Sequence, residues 1–410
     1  MSDQKQRGSL SPYFTGVAVK RLSAVESNPN KSNQHELNGV QDLKKILGEE
    51  RRENIPANFV YLADAEDKAA SAEGFVTWYD AREKHPRRSE HRLYFATNAV
   101  MEEAAEGDLI FVCQRTDNTA LLIVTRNGST SANQVLWLFA LSAPAAGFDL
   151  QTFEHGETSQ AGADFIRRMI LEQVGIESAP AIAEQFLPAL LEAFGSEFPT
   201  TRQFSAFARA TVEGVSATDG PDDAVMAWME QEEDLFRTLE RHIVSERLET
   251  GFGTDVDAFV EFSLSVQNRR KSRVGYALEN HLEYLFIQNK IPFSRGKVTE
   301  RNSRPDFIFP GIIEYRDQGF LATRLSMLGV KSTCKDRWRQ VLAEADRIRT
   351  KHLLTLEPGI SSNQTSEMQS QSLQLVLPSL MHSTYNAEQQ GWLMTLREFL
   401  DHVKWRAAET

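Results

Sequence analysis

An aspartate, a lysine and a glutamate in the carboxy-terminal half of the chain have the chemistry that phosphodiester hydrolysis needs. Asp306 follows a proline and opens a short apolar stretch, Lys331 ends another, and Glu344 lies 13 residues after Lys331. Mg²⁺ prefers carboxylate oxygens, and a lysine near an attacking water can lower its pKa and stabilise negative charge. We therefore predict a Mg²⁺-dependent site here. The alternative is a solvated ion-pair network in which Asp306 simply ends a strand.

The residues around Lys331 resemble the PD-(D/E)XK nuclease motif, with one departure. That motif has an acid two residues before the lysine, whereas Gly329 occupies this position here. Alternation along a strand places Gly329 and Lys331 on the same face. A helix predicted over 335–349 carries Glu344 at the border of its apolar face, so the carboxylate can fill the place of the missing acid. Glu279, on the flank of another apolar helix face, is a further candidate.

Helices and strands alternate in the part of the chain that carries these residues. Apolar periodicity predicts helices over 224–248, 254–262, 272–289, 335–349 and 392–403, and strands over 306–309, 327–332, 353–356 and 373–377. Thr254 followed by Asp257 indicates an N-cap for the second of these helices. This order predicts an α/β domain with a central mixed sheet flanked by helices.

The amino-terminal half has a different, mostly β pattern. Short apolar stretches separated by polar turns predict strands, namely Phe14–Val19, Phe59–Leu62, Leu93–Phe95, Leu109–Val112, Ala120–Val124 and Val135–Leu141. Residues 160–195 have helical spacing, and the polar segment Ser216–Asp223 contains Gly and Pro. We expect a β-rich barrel or sandwich with a helical extension over 1–200, a linker over 201–223, and the α/β domain over 224–410.

The net charge of −12 argues at first against nucleic-acid binding, but local positive charge matters more than the sum. Three basic segments interrupt the acidic average, namely Arg82–Arg92, Asn268–Arg273 and Lys335–Lys351. Each of them could also be a solvated charged face. Two distant cysteines, a polar start and the lack of a long apolar run predict a cytoplasmic protein without disulfides or membrane spans.

The catalytic half closely resembles the EcoRII-type (type IIE) restriction endonucleases of the PD-(D/E)XK superfamily. The resemblance covers about residues 250–380 and is carried by SVQNRRKSRVGYALENHLEYLF, RPDFIFP and GVKSTCKDRWRQVLAEADRIRTKHLLTLEPGIS. It implies catalytic and Mg²⁺-binding roles for Asp306, Glu344 and Glu279, and a catalytic role for Lys331. It also implies that the acid missing at Gly329 is displaced in this branch.

The resemblance further implies residues that contact the cleaved DNA. Lys335, Asp336 and Arg337 would read neighbouring C·G pairs in CC/GG half-sites, since Arg can donate to a guanine edge and Asp can accept from cytosine. For Asp336, helix capping is the alternative. Four basic residues would contact phosphates or central nucleotides, namely Arg269, Arg270, Lys271 and Arg273. Arg273 could equally be a solvated neighbour of Glu279.

The amino-terminal half resembles the effector domain of the same family more thinly. VKRLSA at Val19–Ala24 matches its opening strand, which implies a DNA-binding pseudobarrel. The candidate DNA contacts are Arg88, Glu90, His91 and Arg92, together with Gln34 and Asn38 in a second segment. His91 stands where the family has a lysine and Asn38 where it has a tyrosine. A solvated hairpin is the alternative for the first group.

Together these observations predict a type IIE-like enzyme that cuts double-stranded DNA at CCWGG-like sites. It would form a homodimer through its carboxy-terminal domain, bind a second copy of the site through its amino-terminal domain, and share its site with a cognate DNA methyltransferase. The amino-terminal domain would cover the catalytic cleft until the second site is bound. A structure-directed or repair nuclease of the same fold and a catalytically inactive DNA-binding regulator are the alternatives.

Overall fold

The computed structural model describes residues 10–27, 35–38, 41–64, 69–85, 87–145, 147–153, 163–176, 184–334 and 337–408. These residues divide into two units. One includes the described parts of Met1–Ser159, Arg167–Glu177 and Pro358–Ser362, and the other those of Gln160–Ile166, Ser178–Glu357 and Asn363–Thr410.

The first unit is built on an eight-stranded sheet. Its strands are β1 (Phe14–Arg21), β2 (Glu36–Asn38), β3 (Arg52–Leu62), β4 (Ala70–Asp80), β5 (His91–Phe95), β6 (Leu109–Arg115), β7 (Ala120–Thr125) and β8 (Phe148–Thr152). They follow the order β2-β5-β4-β3-β7-β6-β1-β8, with β3 and β7 parallel and the other pairs antiparallel. One face buries Phe59, Trp78 and Phe95. The predicted β-rich architecture is confirmed.

Helices accompany this sheet, and one of them replaces a predicted strand. The helices of the amino-terminal half are α1 (Ala24–Ser27), α2 (Gln41–Leu47), α3 (Ala99–Glu103), α4 (Thr130–Leu138) and α5 (Ala163–Gln173). The strand prediction for Val135–Leu141 was wrong because most of this stretch lies in α4. The buried side chains Ala132, Val135 and Leu138 are spaced three residues apart, which is a helical spacing. The Ser129 hydroxyl accepts from the Ala132 N–H at 3.1 Å and caps the helix.

The second unit contains the predicted mixed sheet. Its strands are β9 (Ser294–Arg295), β10 (Phe307–Phe309), β11 (Ser326–Lys331), β12 (Lys351–Thr355) and β13 (Leu373–Val376). The order is β13-β12-β11-β10-β9, parallel from β11 to β13 and antiparallel from β9 to β11. Every strand predicted for this half is confirmed to within two residues at each end, and β9 is an addition.

Helices surround this second sheet. They are α6 (Leu187–Phe194), α7 (Thr201–Ala210), α8 (Pro221–Thr250), α9 (Val256–Gln288), α10 (Ile312–Arg316), α11 (Trp338–Leu342), α12 (Ser362–Ser370), α13 (Ala387–Gln390) and α14 (Leu396–Ala408). Phe286 of α9 makes edge contacts with Phe307 and Phe309, and Phe399 of α14 makes another with Phe309. These contacts fix helices α9 and α14 on strand β10.

The structure differs from the predicted linker over 201–223. Phe204 and Ala208 of α7 are buried in one apolar cluster with Leu235 and Leu239 of α8. A segment with a buried face of this kind is part of the second unit rather than a free connection. The division into units falls nearer to residues 160–177.

Four helix predictions need correction. The helices expected over 254–262 and 272–289 form the single helix α9, which is capped by Asp255, whose carboxylate accepts from the Ala258 N–H at 2.9 Å. The helix expected over 335–349 ends at Leu342, and Ala345 adopts a left-handed backbone conformation with φ of 51°. The closing helix runs over 396–408 rather than 392–403. Among the described helices, none has both the length and the apolar composition that a bilayer crossing requires.

Candidate active site

Strands β10 and β11 bring Asp306 and Lys331 together. Asp306 directly precedes β10, whose Phe307 lies opposite Leu328 of β11. The Oδ2 atom of Asp306 accepts from the Val330 N–H at 2.6 Å and lies 3.5 Å from the Lys331 Nζ. Both side chains remain partly exposed, at 20% and 25%. The backbone contact fixes one carboxylate oxygen of Asp306, and the neighbouring ammonium gives the site a positive charge.

Glu344 lies two residues beyond the end of α11 and is half-buried. Its Oε2 atom is buried and has no hydrogen-bond partner among the described residues. Burial, together with a smaller effect of the Asp306 charge, raises the pKa of Glu344 to about 7, although Lys331 and Lys351 oppose this shift. A buried carboxylate oxygen without a partner, close to a second carboxylate, favours binding a proton or a cation.

Gly329 is required by the packing of helix α11. A Cβ atom at this position would lie 2.9 Å from Cγ2 and 3.1 Å from Cγ1 of Val341. The branched valine cannot swing away as a long flexible side chain could. The position at which the nuclease motif carries an acid is therefore sterically closed, and the chain that follows α11 carries Glu344 instead.

Glu279 of α9 lies near the site but is already paired. Its Oε2 atom accepts from Arg295 Nη2 at 2.8 Å, while Arg295 also donates to Glu283 at 2.7 Å and to Asn280 at 2.9 Å. Burial raises the pKa of Glu279, and the charge of Asp306 contributes in the same direction, whereas Arg295 and Lys331 lower it. Glu279 therefore belongs to the electrostatic surroundings of Asp306 and Lys331.

The donor set of this site can be compared with the ligands that the predicted Mg²⁺ ion prefers. Within the described ranges, no three His, Cys, Asp or Glu side chains lie close enough to form a metal-binding cluster. Asp306 and Glu344 nevertheless offer hard carboxylate oxygens, one of them the partnerless Oε2 of Glu344. This pair fits a hard divalent ion, with Glu279 as a third ligand only if it exchanges its contact with Arg295.

Of the three residues predicted to read bases, the structure describes only Arg337. Lys335 and Asp336 lie outside the described residues. Arg337 is exposed, and its backbone N–H donates to the Cys334 carbonyl at 2.7 Å. Its side chain is therefore accessible to solvent, six residues beyond Lys331.

The basic segment of α9 is divided between surface and interior. Arg269 is exposed, with its guanidinium 4.2 Å from the centre of the Phe198 ring. Arg270 is half-buried and pairs with the buried Glu240 at 2.7 Å. The side chain of Lys271 lies outside the described residues.

Arg273 is not a solvated neighbour of Glu279, and its burial disagrees with the expected DNA contact. Arg273 is only 6% exposed, forms an ion pair with Glu233 and lies 4.1 Å from the centre of the Phe236 ring. A buried arginine held by a carboxylate and an aromatic ring is part of the packing between α8 and α9.

In the first unit, the two predicted DNA-contacting segments lie on adjacent strands, because Asn38 of β2 pairs with Arg92 of β5. Arg92 donates to Glu36 and to Glu90, each at 2.8 Å. Arg88 is exposed. Gln34 and the side chain of Asn38 lie outside the described residues.

The buried position of His91 disagrees with the DNA contact that we expected for it. His91 is buried, with its ring centre 5.0 Å from that of Trp78, and its nitrogens contact the Ser89 hydroxyl and the Glu49 carbonyl, each at 3.1 Å. Strand alternation places it on the core face of β5, opposite to the face of Arg92.

Two charged residues near the site were missed by the sequence reasoning. Arg295 pairs with Glu279, and the buried Lys351 lies in electrostatic range of Glu344. A signal existed for Lys351, since it opens the apolar stretch that becomes β12. No comparable pattern marks Arg295, because β9 has only two residues.

Comparisons with known proteins show which family this chain resembles. A family model described as "EcoRII C terminal" matches residues 236–400. The type II restriction enzyme EcoRII of Escherichia coli is 39% identical over 413 residues, which cover 95% of this chain and 93% of that protein.

Solved structures of two restriction endonucleases are more distantly similar. Metal-depleted Ecl18kI in complex with uncleaved, modified DNA has a TM-score of 0.44 at 18% identity, over 55% of this chain and 84% of that one. PspGI in complex with substrate DNA has a TM-score of 0.43 at 13% identity, over 52% and 95%. The assignment therefore depends on the sequence similarity, which extends over nearly the whole chain: this protein belongs to the EcoRII family of type II restriction endonucleases.

Proposed function

We propose that this chain is a Mg²⁺-dependent, type IIE-like endonuclease that cuts double-stranded DNA at CCWGG-like sites. The observation that carries the proposal is the arrangement of Asp306, Lys331 and Glu344. Lys331 lies 3.5 Å from Asp306, and Glu344 adds a buried oxygen that lacks a partner among the described residues. Restriction endonucleases related to this chain usually need a divalent metal ion.

Each residue of this arrangement has a role that follows from its contacts. Asp306 and Glu344 would hold Mg²⁺, with Glu279 supporting them from α9. When bound, the ion would supply Lewis-acid activation of water and charge neutralisation at the scissile phosphate. The Val330 N–H holds the Oδ2 atom of Asp306, which would leave Oδ1 for the ion. The ammonium of Lys331 would stabilise the negative charge that develops on the attacking and phosphoryl oxygens.

Site recognition is assigned to the residues that follow the catalytic strand. Lys335, Asp336 and Arg337 carry the donors and acceptor that can read adjacent C·G pairs in the major groove. The exposure of Arg337 and Arg269 supports their access to DNA. Arg269 would contact the backbone rather than a base, because its guanidinium is already stacked against Phe198.

The first unit is assigned to a second copy of the site. Exposed Arg88 and the paired strands β2 and β5, with Arg92 and Glu90, would form its DNA-contacting surface. Binding there would relieve a restraint on cleavage. A homodimer formed through the second unit would match the dyad of a near-palindromic site. The enzyme would act in the cytoplasm of a prokaryotic cell, where a cognate methyltransferase would modify the same sequence.

Digestion of supercoiled plasmids, followed by sequencing of the ends, tests this function directly. We expect cleavage in Mg²⁺ at CCWGG sites, no cleavage in EDTA, and no cleavage of a matched plasmid from which these sites have been removed. Cutting of mismatched or branched DNA regardless of CC/GG sites would identify a structure-directed nuclease. Site-specific binding without any cutting, on a plasmid rich in sites, would identify an inactive regulator.

A further inference from the structure

A buried lysine lies behind the chain segment that carries Glu344. Lys351 opens β12 and is only 7% exposed. Its ammonium donates to the Ala345 carbonyl at 3.2 Å and to the Ile348 carbonyl at 2.9 Å. Both acceptors belong to the segment between α11 and β12, residues 343–350, which we term the Glu344 loop.

The Glu344 loop has little regular structure of its own to hold it. It follows the end of α11, and Ala345 has a left-handed backbone with φ of 51°, a conformation that a residue with a Cβ adopts only when its surroundings require it. The bond from Lys351 to the Ala345 carbonyl is made at this residue, directly after Glu344. Lys351 therefore restrains the backbone that sets the direction of the Glu344 side chain.

Burial of the Lys351 ammonium costs desolvation free energy, and packing alone does not explain why a lysine occupies this position. An apolar side chain of similar length would fill the same space without a desolvation cost. Burial lowers the pKa of Lys351, whereas the charges of Asp346, Glu344 and Glu300 raise it and favour the ammonium form. Lys351 supplies what an apolar side chain cannot, namely the pair of carbonyl contacts and a positive potential near Glu344.

We propose that Lys351 is a positioning residue of the active site, which holds the Glu344 loop so that the Glu344 carboxylate faces Asp306. This inference rests on the proposed function, in which Asp306 and Glu344 hold the divalent ion. Lys351 acts through Glu344 and does not touch the substrate. Mutation of a residue that orients a metal ligand in this way typically lowers metal affinity by about tenfold to a hundredfold.

The affinity of the full-length protein for Mn²⁺ alone, measured by electron paramagnetic resonance, tests the inference without any cleavage reaction. We expect Lys351→Met to weaken Mn²⁺ binding by about tenfold or more. Glu344→Gln should weaken it as well, and the double variant should bind no more weakly than Glu344→Gln alone, because both changes act on one ligand. Lys351→Arg, which keeps the charge and the donors, should retain most of the affinity.

Val403→Ala serves as the control for a general loss of stability, because Val403 is a buried residue of α14 outside the site. It should lower the melting temperature and leave Mn²⁺ binding unchanged. If Lys351→Met does not fold, Lys351→Gln takes its place, since it removes the charge and keeps a polar side chain. Wild-type Mn²⁺ binding by the folded Lys351 variant, or additive effects in the double variant, would overturn the inference. Wild-type binding by Glu344→Gln would instead overturn the proposed function.

Discussion

A Cβ atom on Gly329 would lie 2.9 Å from Cγ2 of Val341, so α11 packs directly onto β11 where the nuclease motif carries an acid. The contact leaves no room for a side chain at this position. The second acid of the site must therefore come from another element, and Glu344, just beyond α11, is the acid that the chain supplies. The placement of α11 against β11 therefore accounts for both the glycine at position 329 and the displacement of the acid to Glu344.

Gly329→Ala should destabilise the second unit, because the added methyl group enters a filled space. Overpacking of this kind costs about 1–3 kcal/mol, which urea denaturation would detect. Gly275→Ala is the matched control, since a Cβ there meets nothing within 4 Å and α9 should gain about 0.5–1 kcal/mol. Adding Val341→Ala to Gly329→Ala should recover part of the loss. Equal stability of the two alanine variants would contradict the steric account.

Lys331→Ala should abolish DNA cleavage and spare folding and site-specific binding. The ammonium is a quarter exposed and contacts one carboxylate, so its removal leaves no large cavity. Loss of a preorganised charge at a developing anion costs about 10²–10³ in rate. Plasmid digestion, gel-shift titration and thermal melting measure the three properties. Lys404→Ala, an exposed lysine of α14, is the control. Unfolding of Lys331→Ala would mean that this lysine is structural.

The stability of the metal-free protein should depend on the ionisation of Glu344. The pKa of Glu344 in the folded protein is about 7, above its ordinary value of 4.5. A carboxyl group with a raised pKa favours the folded state when protonated, so this contribution is fully present below pH 4.5 and is lost as the pH rises through 7. Glu344→Gln mimics the protonated form at every pH.

Melting curves in EDTA at pH 4.5 and at pH 8 measure this effect. At pH 8 we expect Glu344→Gln to be more stable than the wild type by roughly 1–3 kcal/mol, and at pH 4.5 the difference should nearly vanish. Mg²⁺ binding should weaken as the pH drops below 7, because a proton then competes with the ion for this carboxylate. A stability difference of the same size at both pH values would mean that Glu344 does not titrate in this range.

Much of the catalytic half was predictable because its strands are short apolar runs with one charged residue at a defined end. Asp306 precedes one run and Lys331 ends the next, so antiparallel pairing alone brings the two together. The end of α11 was not predictable in the same way. The stretch up to Arg349 keeps a helical apolar pattern, but Ala345 leaves the helical conformation under tertiary contacts that no local pattern encodes.

The charges of α9 show a second limit of sequence reasoning. Arg269 and Arg273 stand in one basic run, yet one is exposed and the other is buried against Glu233. Residues four apart share a helix face, so helical phase does not separate them, and the burial of Arg273 depends on Glu233, 40 residues earlier in the chain. His91 shows a related limit, because it adjoins Arg92 in sequence and yet lies on the core side of its strand.

This difference between Arg269 and Arg273 gives a matched pair of variants. Arg269→Ala should weaken DNA binding and lower the slope of log affinity against log salt by about one, while costing at most about 1 kcal/mol of stability from the lost stacking on Phe198. Arg273→Ala should remove one of the two arginine partners of the buried Glu233, which keeps Arg237, and cost about 1–3 kcal/mol. Salt-dependent binding titrations and denaturation measure both properties. A lower salt slope for folded Arg273→Ala would mean that Arg273 contacts phosphate after all.

The proposed restraint by the first unit can be tested with two deletions that differ at α6 and α7. A variant beginning at Glu184 keeps the cluster in which Leu190 and Phe204 pack on Leu235 of α8. It should cut DNA with one recognition site faster than the full chain does, because the second-site requirement is removed. Plasmids with one and two sites, digested in parallel, measure the change.

A variant beginning at residue 220 loses α6 and α7 and uncovers the apolar face of α8. Removing even one buried phenylalanine such as Phe204 costs about 3–5 kcal/mol, so this variant should unfold at a markedly lower temperature than the one beginning at Glu184. Low activity of the shorter variant alone would therefore report on stability and not on the restraint. Unchanged single-site activity of the folded variant beginning at Glu184 would show that the first unit does not restrain cleavage.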